Sequence, residues 1–293
     1  MTLQQLSYFV SACRHGNISR AAEEHSVSQP SVSAAIKSLE REFGVALIER
    51  RRIGFVLTGD GEEFRELAEA LIHHAECVRK AMEEKGNRHS LLRLGVPPMV
   101  GSVLFPAIYA DFSQRREDVS IFTREMGRED LLNALEEGSL DLAFLPHRAA
   151  FPKRYEAIPV TDFEMVCCVP PSHPLATEKS VTAKRLEAEP LISFSRGFYH
   201  AERINSFFQA AGVKPNVIHT SSQLSTVERF VMDGMAIGFL FRPLTEKNAS
   251  LVPVSLDPPI VTHISLVFRK DLLRTEAINS FLQYIKNHYP SPK

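Results

Sequence analysis

The chain has 293 residues, enough for two or three domains that each bury a core. Its formal net charge of −1 excludes a protein that coats polyanions and leaves any nucleic-acid contact to a local patch. Four cysteines (Cys13, Cys77, Cys167 and Cys168) without CxxC spacing argue against a disulfide framework or a zinc knuckle and fit a reducing cytoplasm.

The opening MTLQQLSYFVSACRHGN is amphipathic, without the basic region and apolar run of an export signal. No later segment is apolar for the length of a membrane span, so no membrane partner is expected. Leu3, Leu6, Phe9, Val10 and Cys13 recur at helical spacing, and Gly16-Asn17 stops that helix. ISRAAEE, Ile18 to Glu24, starts a second helix with Ser19 as the expected N-cap and alanines that permit close helix approach. A third follows in HSVSQPSVSAAIKSLEREFG. With Ser28 as N-cap, Pro30 falls in the first turn, where its missing N–H has no intrahelical partner to lose. Val32, Ala35, Ile36, Leu39 and Phe43 make the packing stripe, and Gln29, Ser33 and Lys37 line the opposite side.

LIERRRIGFVLTGDG, Leu47 to Gly61, reads as a hairpin tipped by Arg51-Arg52, so residues 1–60 have the order of a winged helix-turn-helix. Seven bases against six acids in that segment leave the clustering of charge, not its total, to carry the reading. Glu62 to Lys85 reads as one long helix, within a linker spanning 61–87. Phe64, Ala68, Leu71, Ala75, Val78 and Met82 alternate four and three apart as in a coiled-coil seam. Pairing of two seams in a homodimer is the simplest burial, and packing on the chain's own downstream domain is the alternative. GNRHS, Gly86 to Ser90, breaks the helix.

Residues 88–293 alternate short strands with helices. LLRLGV, a helix around Val103 to Gln114, VSIFTRE, Asp130 to Glu137 and LDLAFLP give one βαβαβ unit. EMVCCVP, PLISFS, a helix from about His200, VIHTSS, a helix from about Ser225 and AIGFLF give another, before ISLVFR and a last helix, Glu276 to His288. Two α/β lobes are expected, one at about 91–161 and 262–293 and the other at about 162–261, with a hinged cleft at the strands' carboxyl ends.

Neither an enzyme nor a metal site is expected. No GxSxG, Walker loop, GxGxxG after a strand or HExxH occurs, so no catalytic residue and no cofactor is assigned. Adjacent Cys167 and Cys168 in an apolar strand read as buried structure rather than as a thiol sensor. His73, His74 and Cys77 share helical spacing but no further ligand completes a tetrahedral set, so they read as helix surface. A solute-binding transport protein would share the two lobes but has no use for the N-terminal module.

Over essentially its full length the sequence resembles the LysR-type transcriptional regulators. The residues that carry this are LQQLSYFVSACRHGNISRAAEEHSVSQPSVSAAIKSLEREFGVALIERRRIGFVLTGDG, then DLAF from Asp141 and SHPLA from Ser172. The resemblance implies an N-terminal winged helix-turn-helix, a long dimerising linker helix and a two-lobed Rossmann-like effector domain similar to periplasmic solute-binding proteins. It further implies a homodimer or homotetramer on an interrupted palindrome in double-stranded promoter DNA, a small-molecule effector, and RNA polymerase as a further partner.

By the same resemblance the recognition helix is Ser28 to about Glu42, with Ser28, Gln29, Pro30, Ser31, Ser33 and Lys37 at the major groove. Arg50, Arg51 and Arg52 form a basic wing, with Arg20 a phosphate contact. The chemistry is compatible: Gln29 can serve an adenine edge, Pro30 a thymine methyl, and a helix N-terminus attracts phosphate. Ala34 departs from the family, which often has a base there. The matching effector loops hold Pro98, Met99, Ser102, Gly127, Ser193, Ser195, Arg196, Ser221 and Ser222. Their hydroxyls, amides and arginine suit a small carboxylate or other anion.

Overall fold

The computed structural model describes residues 1–51, 54–86 and 90–289. The chain divides into two compact units, Met1–Gly86 and Asn87–Lys293.

In the first unit α1 (Leu3–His15) begins in a reciprocal cap. Thr2 Oγ1 accepts from the Gln5 N–H and Gln5 Oε1 accepts from the Thr2 N–H, and Gly16 ends the helix at φ +58°. The cap of α2 (Ile18–Glu24) is Asn17, not Ser19. Its Oδ1 accepts from the Ser19 and Arg20 amides at 2.8 and 3.3 Å. Asparagine just before the helix reaches the first free amides, whereas Ser19 already lies inside it. Ser28 caps α3 (Gln29–Phe43) and Gly44 closes it. Strands β1 (Ile48–Arg50) and β2 (Phe55–Leu57) pair antiparallel, Ile48 opposite Leu57 and Arg50 opposite Phe55.

Helix α4 (Gly59–Gly86) starts where Thr58 acts as its cap. Thr58 Oγ1 accepts from the Gly61 amide at 2.9 Å and donates to the Ala46 carbonyl at 2.6 Å. Leu6, Phe9, Ala12, Val32, Ile36, Leu39 and Leu47 form a core that also takes Ala68 of α4. The Phe64 ring packs on Phe9 and Phe43 at 5.4 and 5.3 Å. The expected seam is therefore split. Phe64 and Ala68 serve the module's own core, because a straight helix of 3.6 residues per turn offers one stripe to one neighbour. A second stripe stays outside: Leu67, Leu71, Val78 and Met82 are 58, 47, 60 and 61% exposed. The break expected over Gly86 to Ser90 falls mostly on residues 87–89, which lie outside the described residues, as do the side chains of His73 and Cys77.

The second unit runs β3 (Ser90–Val96), α5 (Pro98–Val103), α6 (Phe105–Arg115), β4 (Val119–Glu125), α7 (Arg128–Glu136), β5 (Leu142–His147) and β6 (Tyr155–Val169). After a 3-10 turn at Pro174–Thr177 come β7 (Ser180–Thr182), β8 (Leu191–Phe194), α8 (Tyr199–Ala210), β9 (Val217–Ser221) and α9 (Leu224–Met232). The chain closes with β10 (Gly238–Phe241), α10 (Arg242–Glu246), β11 (Val252–Arg269) and α11 (Glu276–His288). The helix expected around Val103 to Gln114 is α6, with Pro106 in its first turn, and a short helix not expected from the sequence, α5, precedes it. Proline is tolerated there and not in mid-helix.

The main sheet has the order β10-β6-β11-β5-β3-β4, with β7 beside β11 and a separate parallel pair β8-β9. Strand β3 runs parallel to β4 and β5, while β6 and β11 run antiparallel to each other from Tyr155 opposite Arg269 to Val169 opposite Val252. Thus the two segments that cross between lobes are long strands that belong to both. The family-like motifs hold this frame. The buried Asp141 of DLAF accepts from the Arg93 amide at 2.8 Å and its own amide donates to the Arg93 carbonyl, locking β5 to β3. In SHPLA, His173 Nδ1 accepts from the Leu175 amide and Leu175 is buried. Cys167 and Cys168 sit in β6, fully buried, and burial pushes both thiols well up, so they are packing groups.

Candidate functional site

The first unit presents the amino end of α3 outward. Ser28, Gln29, Pro30, Ser31, Ala34 and Lys37 are exposed, Ser33 is half-buried, and Val32, Ala35, Ile36 and Leu39 point inward. The Ser28 hydroxyl accepts from the Ser31 amide at 3.4 Å and shares a 2.8 Å hydrogen bond with the Ser31 hydroxyl. Ser28 and Ser31 are therefore partly committed to building the helix end, and Gln29, Pro30 and Lys37 project from it. Helix and wing are fastened together: Glu40 Oε1 accepts from the Leu47 and Ile48 amides at 3.0 and 3.3 Å. Between them runs an open groove of about 500 Å³ lined by Ser33, Lys37 and Arg41 on one side and Val45, Ala46 and Ile48 on the other.

At the wing tip the Arg51 amide donates to the Gly54 carbonyl at 3.2 Å. A side chain at Gly54 (φ +75°) would meet the Gly16 carbonyl at 2.8 Å, so the wing presses on the α1–α2 turn. Arg51 and Arg20 are exposed, and Arg51 lines a smaller groove with Asn17, Ser19 and Phe55. Arg52 and the side chain of Arg50 lie outside the described residues.

In the second unit the expected ligand loops divide. Gly127 and Gly197 come together, since a Cβ on Gly127 would lie 3.1 Å from the Gly197 carbonyl. That joins the loop before α7 in one lobe to the loop that carries Arg196 in the other. Ser195 donates its amide to the Ser221 carbonyl at 3.0 Å, and the Ser221 hydroxyl accepts from the Gln223 amide. Ser193 is half-buried beside His200, while Arg196 and Ser222 are exposed. Pro98 is buried, Met99 sits in the hydrophobic core at 1% exposure, and the Ser102 hydroxyl donates back to the Pro98 carbonyl at 3.1 Å.

Other polar groups of this region escaped the sequence reading. Tyr199 Oη, His200 Nε2, Arg203 Nε and Thr262 Oγ1 are buried and have no hydrogen-bond partner among the described residues. Burial pushes the His200 imidazole down to about 3, so it is neutral at physiological pH. Burial raises the Tyr199 phenol, and the guanidiniums of Arg203, Arg128 and Arg148 oppose that rise. The only signal in the sequence was Tyr199-His200 directly after the Ser193–Arg196 loop, at the start of a helix.

A recognition-type helix and wing in one unit, and in the other a two-lobed α/β domain with polar loops meeting between lobes, define a DNA-binding regulator with a ligand domain. Residues 3–62 match the model for the bacterial regulatory helix-turn-helix protein, lysR family, and residues 85–290 match the LysR substrate binding domain. The RuBisCO operon transcriptional regulator of Allochromatium vinosum is 32% identical over 292 residues, covering 97% of this chain and 95% of that protein. The regulator CysB of Haemophilus influenzae is 25% identical, covering 98% and 91%. Among solved structures, HinK, a LysR family regulator from Pseudomonas aeruginosa, is 26% identical with a TM-score of 0.59 and 98% of each chain covered. CbnR, solved with its target DNA, shares the fold at 21% identity and a TM-score of 0.57, with 98% of this chain and 99% of that one covered.

The chain belongs to the LysR family of bacterial transcriptional regulators. It is a DNA-binding regulator with an effector-binding domain, not an enzyme. No helix among the described residues is long and apolar enough to cross a membrane.

Proposed function

We propose that this regulator works in the cytoplasm as a homodimer or homotetramer on an interrupted palindrome at a promoter. There it engages RNA polymerase and changes its hold on DNA when a small carboxylate or other anion binds between the lobes. The observation that carries the DNA reading is the exposed α3 end. Gln29 projects there beside Pro30 and Lys37, with Arg51 and Arg20 at hand for phosphates and Ser28, Ser31 and Ser33 shaping a surface that lets backbone approach backbone. Arg50 and Arg52 complete the basic wing in this reading.

Oligomerisation is supported by apolar surface left open at defined places. The α4 stripe from Leu67 to Met82 is one; Phe122 on edge strand β4 and Val217 and Ile218 on β9 are 53, 40 and 51% exposed. An anionic effector is supported by Arg128, Arg148 and Arg203 acting on the same phenol, with Arg196 on the adjoining loop. Gly127, Ser193, Ser195, Ser221 and Ser222 supply small groups around it, and Pro98, Met99 and Ser102 form its supporting wall. The test is polarisation of labelled promoter fragments with the wild type and Arg196→Ala, with and without a panel of small carboxylates. Arg196→Ala should keep basal DNA binding and lose the response; an unchanged response removes Arg196 from the site.

A further inference from the structure

The two long strands that cross between the lobes are flanked by β5 only as far as His147, opposite His263, and by β10 only from Phe241, opposite Met165. Between those points Phe163 and Glu164 of β6 pair with Thr262 and Val261 of β11 alone, so the sheet narrows to two strands. Close by in lobe one, β6 carries an extra residue, Val160, between the partners of Ile264 and Ser265, and such a bulge bends a strand. A narrow neck beside a bulge is where the lobes flex.

The last rung of lobe one before that neck is polar. Asp162 of β6, His263 of β11 and His147 of β5 stand side by side across it, with Asp162 Oδ1 2.8 Å from His263 Nδ1 and the two imidazole centroids 5.8 Å apart. His147 is half-buried, and both of its ring nitrogens are engaged. Nδ1 lies 3.1 Å from the Ala149 carbonyl, which can only accept, so Nδ1 carries a proton. Nε2 of the neutral ring then accepts from the Ser265 hydroxyl at 2.8 Å. Ser265 is 1% exposed and has no other side-chain hydrogen bond among the described residues. A second proton on His147 would make Nε2 a donor, and the buried Ser265 hydroxyl would lose the acceptor for its own proton. Burial pushes the His147 imidazole below the ordinary histidine range. Of the charged groups that face it, His263 of β11 and Arg128 of α7 act in the same direction, and Asp162 of β6, already bonded to His263, opposes them.

His147 also steadies the edge of lobe one that meets lobe two. Its ring packs on Phe151 at 4.8 Å, Arg128 lies over the same Phe151 ring at 5.8 Å, and Arg128 Nε donates to the carbonyl of Pro146, next to His147. Arg128 opens α7 directly after Gly127, whose backbone abuts Gly197 of the other lobe. We propose that His147 is a proton-sensitive latch on the movement of the lobes. Neutral, it fastens the end of β5 to β11 beside the neck and holds the α7 end against lobe two; protonated, it leaves its place and frees both. The latched form prevails above the ordinary histidine pKa of about 6.5 and gives way as pH falls below it, because the released ring takes up a proton that the latched ring resists. Lobe movement then answers to acid as well as to an effector.

The test is amide hydrogen exchange of the full-length protein at about pH 7.5 and about pH 5.5, corrected for intrinsic rates, in the wild type, His147→Gln and His263→Gln. Glutamine can donate to Ala149 and accept from Ser265 as the neutral ring does, but it takes up no proton. In the wild type, peptides spanning residues 142–151 and 195–198 should exchange several-fold faster at the lower pH, with about tenfold the limit for one proton across one pH unit, while the first unit keeps its protection. His147→Gln should lose this acid response and His263→Gln should keep it. A wild type without the response, or His147→Gln responding as the wild type does, overturns the latch. Loss of the response in His263→Gln overturns it as well, and that arm decides even if His147→Gln does not fold.

Discussion

Gly61→Ala should be far more damaging than its place in a helical first turn suggests. A Cβ there would lie 2.0 Å from the Leu47 carbonyl oxygen and 2.9 Å from its carbon, closer than any real contact. Leu47 is fully buried and its carbonyl accepts from the Thr58 amide at 3.1 Å, while Thr58 also bonds Ala46 and caps α4. Backbone must move, putting two hydrogen bonds of about 1 kcal/mol each and a cap at risk, with overpacking of about 1–3 kcal/mol on top. Alanine's better helix propensity returns up to about 1 kcal/mol, so with the cap at about 1 kcal/mol the net loss is about 3–5 kcal/mol. For a unit of this size that is a fall of roughly 12–40 °C in its melting temperature. Gly59 is the internal control: it lies in the same turn, and a Cβ added to it would have nothing within 4 Å. Gly59→Ala should hold or raise the melting temperature. Calorimetry of both variants decides it, and equal melting temperatures would refute the close approach at Gly61 as the cause.

Ser28→Ala should cost about 1 kcal/mol of stability in the first unit through the lost cap, read from its urea midpoint, and weaken DNA binding as the α3 end frays. Lys37→Ala with Arg51→Ala should lower the slope of log affinity against log salt by roughly 0.9 for each phosphate no longer neutralised, or about 3.6 for both residues in a dimer; an unchanged slope would place neither residue on a phosphate. Glu164 is held below the usual carboxylate range by Arg242, whose Nε lies 2.6 Å away, and by the Ser255 hydroxyl. Its contribution, about 1 kcal/mol for a partly exposed pair, is complete above the ordinary carboxylate pKa and is lost as pH falls through the lowered folded value. Glu164→Gln should therefore lower the urea midpoint at pH 7 and flatten its decline in acid.

The DNA-facing module was legible because its signals are local. Val32, Ala35, Ile36 and Leu39 repeat at helical spacing, and Ser28 and Pro30 mark a helix start whatever the tertiary context. The β6 and β11 strands were only half legible. Pro159, Asp162 and Glu164 interrupt the apolar pattern of the first, and Asp257-Pro258-Pro259 that of the second, because the lobe crossing is not covered alike on both faces. The apolar pattern of α4 was legible, but not that Phe64 and Ala68 turn into the module's own core, since that depends on Phe9 and Phe43, far away in sequence. The pairing of the two long strands was not legible at all: Phe163 and Thr262 are strand partners ninety-nine positions apart, and no periodicity announces that pairing.

The most direct measurement is a footprint of the full-length protein on fragments selected from its own genome, repeated with Gln29→Ala. The wild type should protect two half-sites related by two-fold symmetry and spaced by whole helical turns, and Gln29→Ala should retain affinity for DNA in general but lose preference at particular base pairs. Protection without sequence preference, or a footprint that Gln29→Ala leaves unchanged, would contradict recognition through the α3 end.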